Sequence, residues 1–128
     1  AVAARLRKTN PRLRPERASW LASRWARQAP DGRWQLLGDP AHKRINPLLY
    51  RVEEVLAAWR RISAPVLWVD GDLTDLAGWW GTRYPREDFE QRLQVVPQVR
   101  RERLSPCGHM LHHEQPEALA ALLCDFLA

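Results

Sequence analysis

Two short segments of the sequence carry residues that could act together as a catalytic acid and base. In the first, Gly108-His109 precedes an amphipathic stretch, so that a histidine stands on a tight loop. The second is an apolar run that ends at Gly71 and is followed by Asp72 and Asp75. An imidazole exchanges protons near neutral pH, and a neighbouring carboxylate can fix its tautomer. The residue types are therefore those of two members of a catalytic triad.

The elements predicted around these segments are a strand, a helix and a second strand. Residues 66–69 are apolar on both faces, which is typical of a buried parallel strand. Residues 85–95 form a predicted helix, and residues 99–104 a charged strand that favours a sheet edge. A strand-helix-strand unit of this length predicts a parallel pair with a right-handed crossover, and thus an α/β fold. The acid and the histidine would then follow neighbouring strand ends.

Further helices are predicted on both sides of this unit. Residues 51–62 place apolar side chains at three- and four-residue steps, and the clearest helix begins at Pro116. A first helix runs from Pro15 to about residue 27 and stops at Pro30-Asp31-Gly32. Residues 1–14 are predicted to be irregular and residues 79–81 to be a loop, and residues 34–37 are too few to assign as a strand.

The composition is that of a single domain with enough apolar residues for a core. The chain has 128 residues, of which 45% are hydrophobic, and seven of them are Trp. Its mean hydropathy is −0.49, and no apolar run approaches the roughly 20 residues that cross a bilayer. We therefore expect a cytoplasmic protein with no membrane contact. The spacing of Cys107 and Cys124 matches no zinc or redox pattern, so we expect no metal and no other cofactor.

Positive charge is concentrated in the front half of the chain. Residues 1–61 hold 14 Arg and Lys against 5 acidic residues, whereas residues 62–128 hold 6 against 10. A cationic surface can bind phosphates through counterion release. These basic residues are interspersed with prolines and apolar residues in no recognised nucleic-acid motif. A solvated basic face is favoured, and we expect no nucleic-acid partner.

The two chemical segments together resemble the C-terminal part of an α/β-hydrolase. The resemblance lies in residues 62–75, ISAPVLWVDGDLTD, and residues 107–127, CGHMLHHEQPEALAALLCDFL. It implies an α/β fold with two parallel strands, a crossover helix and flanking helices, lacking the nucleophile half. Residues 47–128 would be the C-terminal part of the hydrolase core. Residues 1–46, where the resemblance is weaker, would be a partly irregular, partly helical cap or cap-exit segment.

Within this resemblance, His109 falls on the position of the general base. Gly108 would let the loop turn tightly because it has no Cβ. The alternative is a loop histidine without a catalytic role. His112 and His113 lack a preceding glycine and are assigned structural or pocket-wall roles. A zinc site built from Cys107 and these three histidines would be crowded and matches no usual ligand spacing.

Three acids, Asp70, Asp72 and Asp75, are candidates for the partner of the base. The resemblance favours Asp75, because the family often has an acid four residues after the glycine, as in Gly71-Asp-Leu-Thr-Asp75. Asp72 is the reserve candidate. The acid would accept the Nδ1 hydrogen of the histidine and stabilise the imidazolium. A helix cap or a turn is the alternative explanation for such an Asp.

Two tryptophans, Trp79 and Trp80, come directly after the acid loop. They would line an apolar acyl or alkyl pocket for a small-molecule substrate, or else pack in the core. Pockets and cores use the same aromatic side chains, so both interpretations stay open.

The sequence contains no nucleophile elbow. None of Ser19, Ser23, Ser63 and Ser105 stands in a Gly-x-Ser-x-Gly pattern. The chain opens on Ala1 and its only Met is internal, so we expect a C-terminal fragment whose nucleophile lies upstream. It would supply the acid and base for hydrolysis of an ester-like substrate and be inactive alone.

The missing nucleophile elbow leaves other functions open for the chain and its parent protein. A nucleophilic Asp or Cys upstream would make the parent an epoxide hydrolase or a dehalogenase. The alternative to an enzyme fragment is a catalytically inactive remnant or interaction module. An exposed edge of the apolar strand could also recruit a second copy of the chain.

Overall fold

The computed structural model describes residues 1–83 and 85–128, apart from the side chain of Trp80. The chain divides into two compact units, Ala1–Leu49 and Tyr50–Ala128. The assignment of residues 1–46 to a cap and of residues 47–128 to a hydrolase core stays a prediction.

The first unit begins with two packed helices, α1 (Val2–Thr9) and α2 (Pro15–Trp25). The prediction that residues 1–14 are irregular is wrong for α1. Ala3 and Leu6, three residues apart on α1, pack against a buried cluster formed by Leu13, Ala18 and Leu21. This apolar contact stabilises the helix.

A short hairpin follows these helices. Strand β1 (Ala26–Gln28) pairs antiparallel with β2 (Trp34–Leu36). The predicted end of the first helix is therefore too late, because the chain leaves α2 at Trp25. Residues 30–32 form the hairpin turn rather than a helix stop, with Gly32 at a φ of 80°. A 3-10 turn (Pro40–Lys43) comes next, capped by Asp39, which accepts from the Ala41 amide at 2.8 Å.

The second unit is built on the predicted parallel strand pair. Strands β3 (Val66–Gly71) and β4 (Val99–Leu104) pair in parallel from Val66 opposite Val99 to Gly71 opposite Leu104. Their carboxyl ends therefore lie side by side. The α/β class and the parallel pair are confirmed. The apolar residues 66–69 remain partly exposed.

Helices cover both faces of this strand pair. Residues alternate between faces along a strand. On one face, α5 (Arg86–Leu93) packs Phe89 against Trp68, with ring centroids 4.8 Å apart. On the other face, Arg100 binds Asp125 of α7 (Pro116–Leu127) at 2.6 Å. The predicted crossover helix and the C-terminal helix are thus present.

The remaining helices of this unit are α3 (Val52–Arg60), α4 (Leu76–Trp80) and α6 (Leu111–Glu114). The prediction of a loop at residues 79–81 is wrong, because α4 extends to Trp80 and ends at Gly81, whose φ is 60°. The cap that Asp75 provides to α4 accounts for this short helix. Among the described residues, none of the helices has the length and apolarity that a bilayer crossing requires.

Candidate active site

The proposed acid and base lie on two loops that leave the sheet at the same edge. The register places Gly71 opposite Leu104, so residues 72–75 and residues 105–110 begin from neighbouring strand ends. In open α/β sheets, this carboxyl edge is where ligands bind. The parallel pairing thus starts side by side two loops whose proposed acid and base, Asp75 and His109, are 34 residues apart in sequence.

Asp72 joins the two loops. One of its carboxylate oxygens accepts from the Ser105 hydroxyl at 2.6 Å, and the other accepts from the Cys107 amide at 2.9 Å. These hydrogen bonds hold the pKa of the Asp72 carboxyl below its ordinary value. The Leu73 amide adds a bond to the Cys107 carbonyl at 2.8 Å. The reserve acid candidate therefore serves as a bridge between the loops.

His109 stands at the exposed end of a buried turn. Cys107 and Gly108 are buried, whereas His109 is exposed. The Gly108 amide donates to Glu114 at 2.8 Å. The His109 imidazole meets the ring of Trp79 in a T-shaped contact, with centroids 4.6 Å apart and planes at 89°. The imidazole thus contacts the Trp79 ring, and His109 remains exposed to solvent.

Asp75 caps α4 with its side chain. Its Oδ1 accepts from the Gly78 amide at 2.7 Å, and the residue is exposed. Within residues 1–83 and 85–128, no hydrogen bond joins Asp75 to His109. The two residues are instead linked indirectly. Asp75 caps α4, and Trp79 of the same helix contacts the His109 imidazole. The structure thus contains the helix cap that was the alternative explanation for Asp75.

Asp70, the third acid, is engaged by arginines from two elements. Arg103 of β4 binds it at 2.8 Å and Arg86 of α5 at 2.5 Å. Partial burial raises the pKa of Asp70, but the hydrogen bonds and charges of Arg103 and Arg86 outweigh this effect and lower it overall. Its role in the structure is to tie α5 to the sheet.

A cavity of about 530 Å³ lies beside His109. This volume falls within the range of small-molecule sites. Its aromatic walls come from Trp68, Trp79 and Phe89. Charged groups of both signs also line it, namely Asp70, Arg86, Asp88 and Arg92. Trp79 is therefore at the cavity, as a substrate-binding residue would be. Trp80, predicted with it, has its side chain outside the described part of the structure.

The other two histidines of the loop region lie next to each other. His113 is buried and its ring is 4.1 Å from that of His112, centroid to centroid. The part of the chain that the structure describes contains no group of three or more His, Cys, Asp or Glu side chains placed to hold a metal ion.

Sequence reasoning missed Glu114 and Ser105 as parts of this site. Glu114 lies six residues from the amide it binds, and Ser105 lies 33 residues from Asp72. No spacing rule connects such pairs. The contact between Ser105 and Asp72 could have been indicated only by the parallel register of β3 and β4.

The comparisons with known proteins agree with this fold. The sequence model described as the alpha/beta hydrolase family matches residues 1–122. The chain belongs to the alpha/beta hydrolase family. No protein in the curated set matches the sequence.

Two solved structures are similar to the chain. One is the "Thioesterase Domain From Curacin Biosynthetic Pathway", with 28% identity and a TM-score of 0.76. That match covers 97% of this chain and 42% of the other. The second is "E-2-(Acetamidomethylene)succinate Hydrolase", with 17% identity and a TM-score of 0.68, covering 98% of this chain and 44% of the other. The chain therefore spans less than half the length of both hydrolases.

Proposed function

We propose that this chain supplies the acid and the base of a hydrolase triad, with Asp75 and His109 in those roles. The observation that carries the proposal is the parallel pairing of β3 and β4, which starts both loops at one sheet edge beside the cavity. The nucleophile belongs to a part of the fold that these 128 residues do not span.

In this mechanism the His109 imidazole takes the proton from the nucleophile or from water and later returns it to the leaving group. Asp75 accepts the Nδ1 hydrogen and stabilises the imidazolium. Its Oδ1 is used by the Gly78 amide, whereas Oδ2 accepts no hydrogen bond from the described residues. A carboxylate has lone pairs for both tasks, so the cap and the catalytic role are compatible.

The proposed substrate is an ester or thioester with an apolar acyl group. The aromatic cavity wall next to His109 favours an apolar group at this position. The similarity to a thioesterase domain supports an acyl substrate. Trp79, and by position in the sequence Trp80, would contact the acyl chain.

The test is hydrolysis of p-nitrophenyl and acyl-thioester substrates by the full product of the gene. His109→Ala and Asp75→Asn should each lower kcat by at least about 100-fold, because general acid–base catalysis contributes that much or more. His42→Ala, which removes an exposed histidine from the first unit, is the matched control for the histidine. Asp39→Asn is the control for the acid, because Asp39 also caps a helical turn. Near-normal turnover by either site variant contradicts the assignment.

A non-catalytic interaction module is the second candidate. Two observations favour it: the chain has no nucleophile elbow, and the apolar residues 66–69 remain partly exposed. Such a strand could pair with a second copy of the chain. Sedimentation equilibrium over a range of concentrations tests this candidate. A stable dimer together with no hydrolysis by the full gene product would favour it over the enzyme.

A further inference from the structure

Two carboxylates outside the proposed acid–base pair hold the backbone immediately before His109. Asp72 accepts from the Cys107 amide at 2.9 Å, and Glu114 accepts from the Gly108 amide at 2.8 Å. These are the two successive N–H groups that precede His109. We propose that Asp72 and Glu114 are positioning residues that fix the His109 imidazole at the edge of the cavity. The proposal rests on the function proposed above.

The two carboxylates reach the loop from different elements. Asp72 lies on the connection between β3 and α4 and also accepts from the Ser105 hydroxyl at 2.6 Å. Glu114 is the last residue of α6. Asp72 therefore holds the loop at Ser105 and Cys107. Glu114, which follows His109 in the sequence, holds it at Gly108. Hydrogen bonds to ionised carboxylates are stronger than neutral ones, which suits them to fixing a loop.

This restraint matters because the described contact of the imidazole is with a single ring. The T-shaped contact with Trp79 marks the place of His109 at the cavity, and Trp79 belongs to α4 rather than to the loop. If the loop moves, His109 leaves that contact and the cavity. A displacement of about 1 Å from the productive position can cost roughly 100-fold in rate.

The first experiment is nuclear magnetic resonance on the 128-residue chain. In the wild type, the ring current of Trp79 should shift the His109 imidazole proton resonances away from random-coil values. Asp72→Ala and Glu114→Ala should move these resonances toward random coil. They should also speed hydrogen exchange of the Cys107 and Gly108 amides about 10-fold or more.

Conservative variants separate positioning from simple loss of structure. Asp72→Asn and Glu114→Gln keep an oxygen that can accept from the same amides. They should retain resonances close to those of the wild type. Glu53→Ala removes an exposed carboxylate from α3 and is the control for lost charge. Dispersed amide spectra show which variants are folded, so a folded variant with an altered His109 signal supports the proposal.

The second experiment is kinetic and uses the hydrolase assay described above. The alanine variants should lower kcat by up to about 100-fold with KM nearly unchanged, because they displace the base and leave the cavity walls in place. The asparagine and glutamine variants should recover most of the rate.

The proposal is overturned if the alanine variants fold with His109 resonances at their wild-type positions. It is also overturned if an active protein keeps its kcat in both alanine variants. Failure of the proposed function looks different: His109→Ala would then leave hydrolysis unchanged, while the resonances would still report whether the two carboxylates hold the loop.

Discussion

Gly71 lies directly against the carbonyl oxygen of Gly108, so the last residue of β3 touches the loop that carries His109. A methyl group added at Gly71 would overlap that oxygen and the carbonyl oxygen of Cys107. Both obstacles are backbone atoms and Gly71 is buried, so no side-chain rotation can make room. The close approach of the two loops thus requires a residue without a side chain.

We expect Gly71→Ala to destabilise the protein by about 1–3 kcal/mol, the usual cost of overpacking. Urea denaturation followed by tryptophan fluorescence measures the change. Gly38→Ala is the matched control, because a methyl group there meets no atom within 4 Å. A Gly71→Ala protein as stable as the control would show that the loops separate without cost.

Gly78 has a similar relation to Asp75. A methyl group at Gly78 would overlap the Asp75 carboxylate. This obstacle is a side chain, so Gly78→Ala should rotate the carboxylate away rather than unfold the protein. We expect a loss of kcat of at least about 10-fold, because the proposed acid leaves its place.

The control for this effect is Ala77→Gly on the same helix. It reduces helix propensity by about 1 kcal/mol without placing an atom near Asp75. Comparison of kcat for the two variants separates the position of the acid from the stability of α4. Equal rates in Gly78→Ala and the wild type would speak against Asp75 as the acid.

Trp79 should determine affinity for the acyl group. Its ring lines the cavity and is 55% exposed, so it has free surface for a substrate. We expect Trp79→Ala to raise KM about 10-fold for hexanoyl esters, equivalent to the roughly 1.4 kcal/mol of one aromatic contact. The effect on acetyl esters should be smaller. Trp34→Ala, which removes a 49% exposed tryptophan from the other unit, should change neither.

The Asp70 ion pairs should make stability depend on acid pH. Because the pKa of Asp70 is lowered in the folded state, its contribution is fully present above the ordinary value of 3.8. That contribution is lost as the pH falls through the lowered pKa. Asp70→Asn should therefore destabilise the protein at pH 5, and the difference from the wild type should narrow toward pH 2.

One hydrogen bond to a charged group is worth about 1.5–3 kcal/mol, and the difference at pH 5 should be at least of that order because Asp70 accepts hydrogen bonds from both Arg86 and Arg103. Thermal unfolding at several pH values measures it. Asp31→Asn is a comparison variant, because Asp31 pairs with Arg33 on an exposed turn. A constant difference between Asp70→Asn and the wild type from pH 5 to pH 2 would contradict this account.

The sequence alone was sufficient for the elements that repeat an apolar pattern. Residues 66–69, the helix of residues 85–95 and the helix from Pro116 were predicted from a local apolar run, or from apolar residues that share one helix face after a proline. The parallel pairing followed from the strand-helix-strand order. Helix α1 was missed; in the structure its apolar residues Ala3 and Leu6 pack against the buried cluster of the first unit, a contact that sequence spacing alone does not reveal.

Tertiary structure decided how the site is held together. The contact of Asp72 with Cys107 depends on which loops meet, and sequence spacing does not reveal it. The contact of Glu114 with Gly108 depends on how the loop between them folds back. The sequence identified the functional groups on the two loops, because it specifies which side chains follow each strand. It did not specify their distances, because these are set by the register of β3 on β4 and by the backbone contact at Gly71.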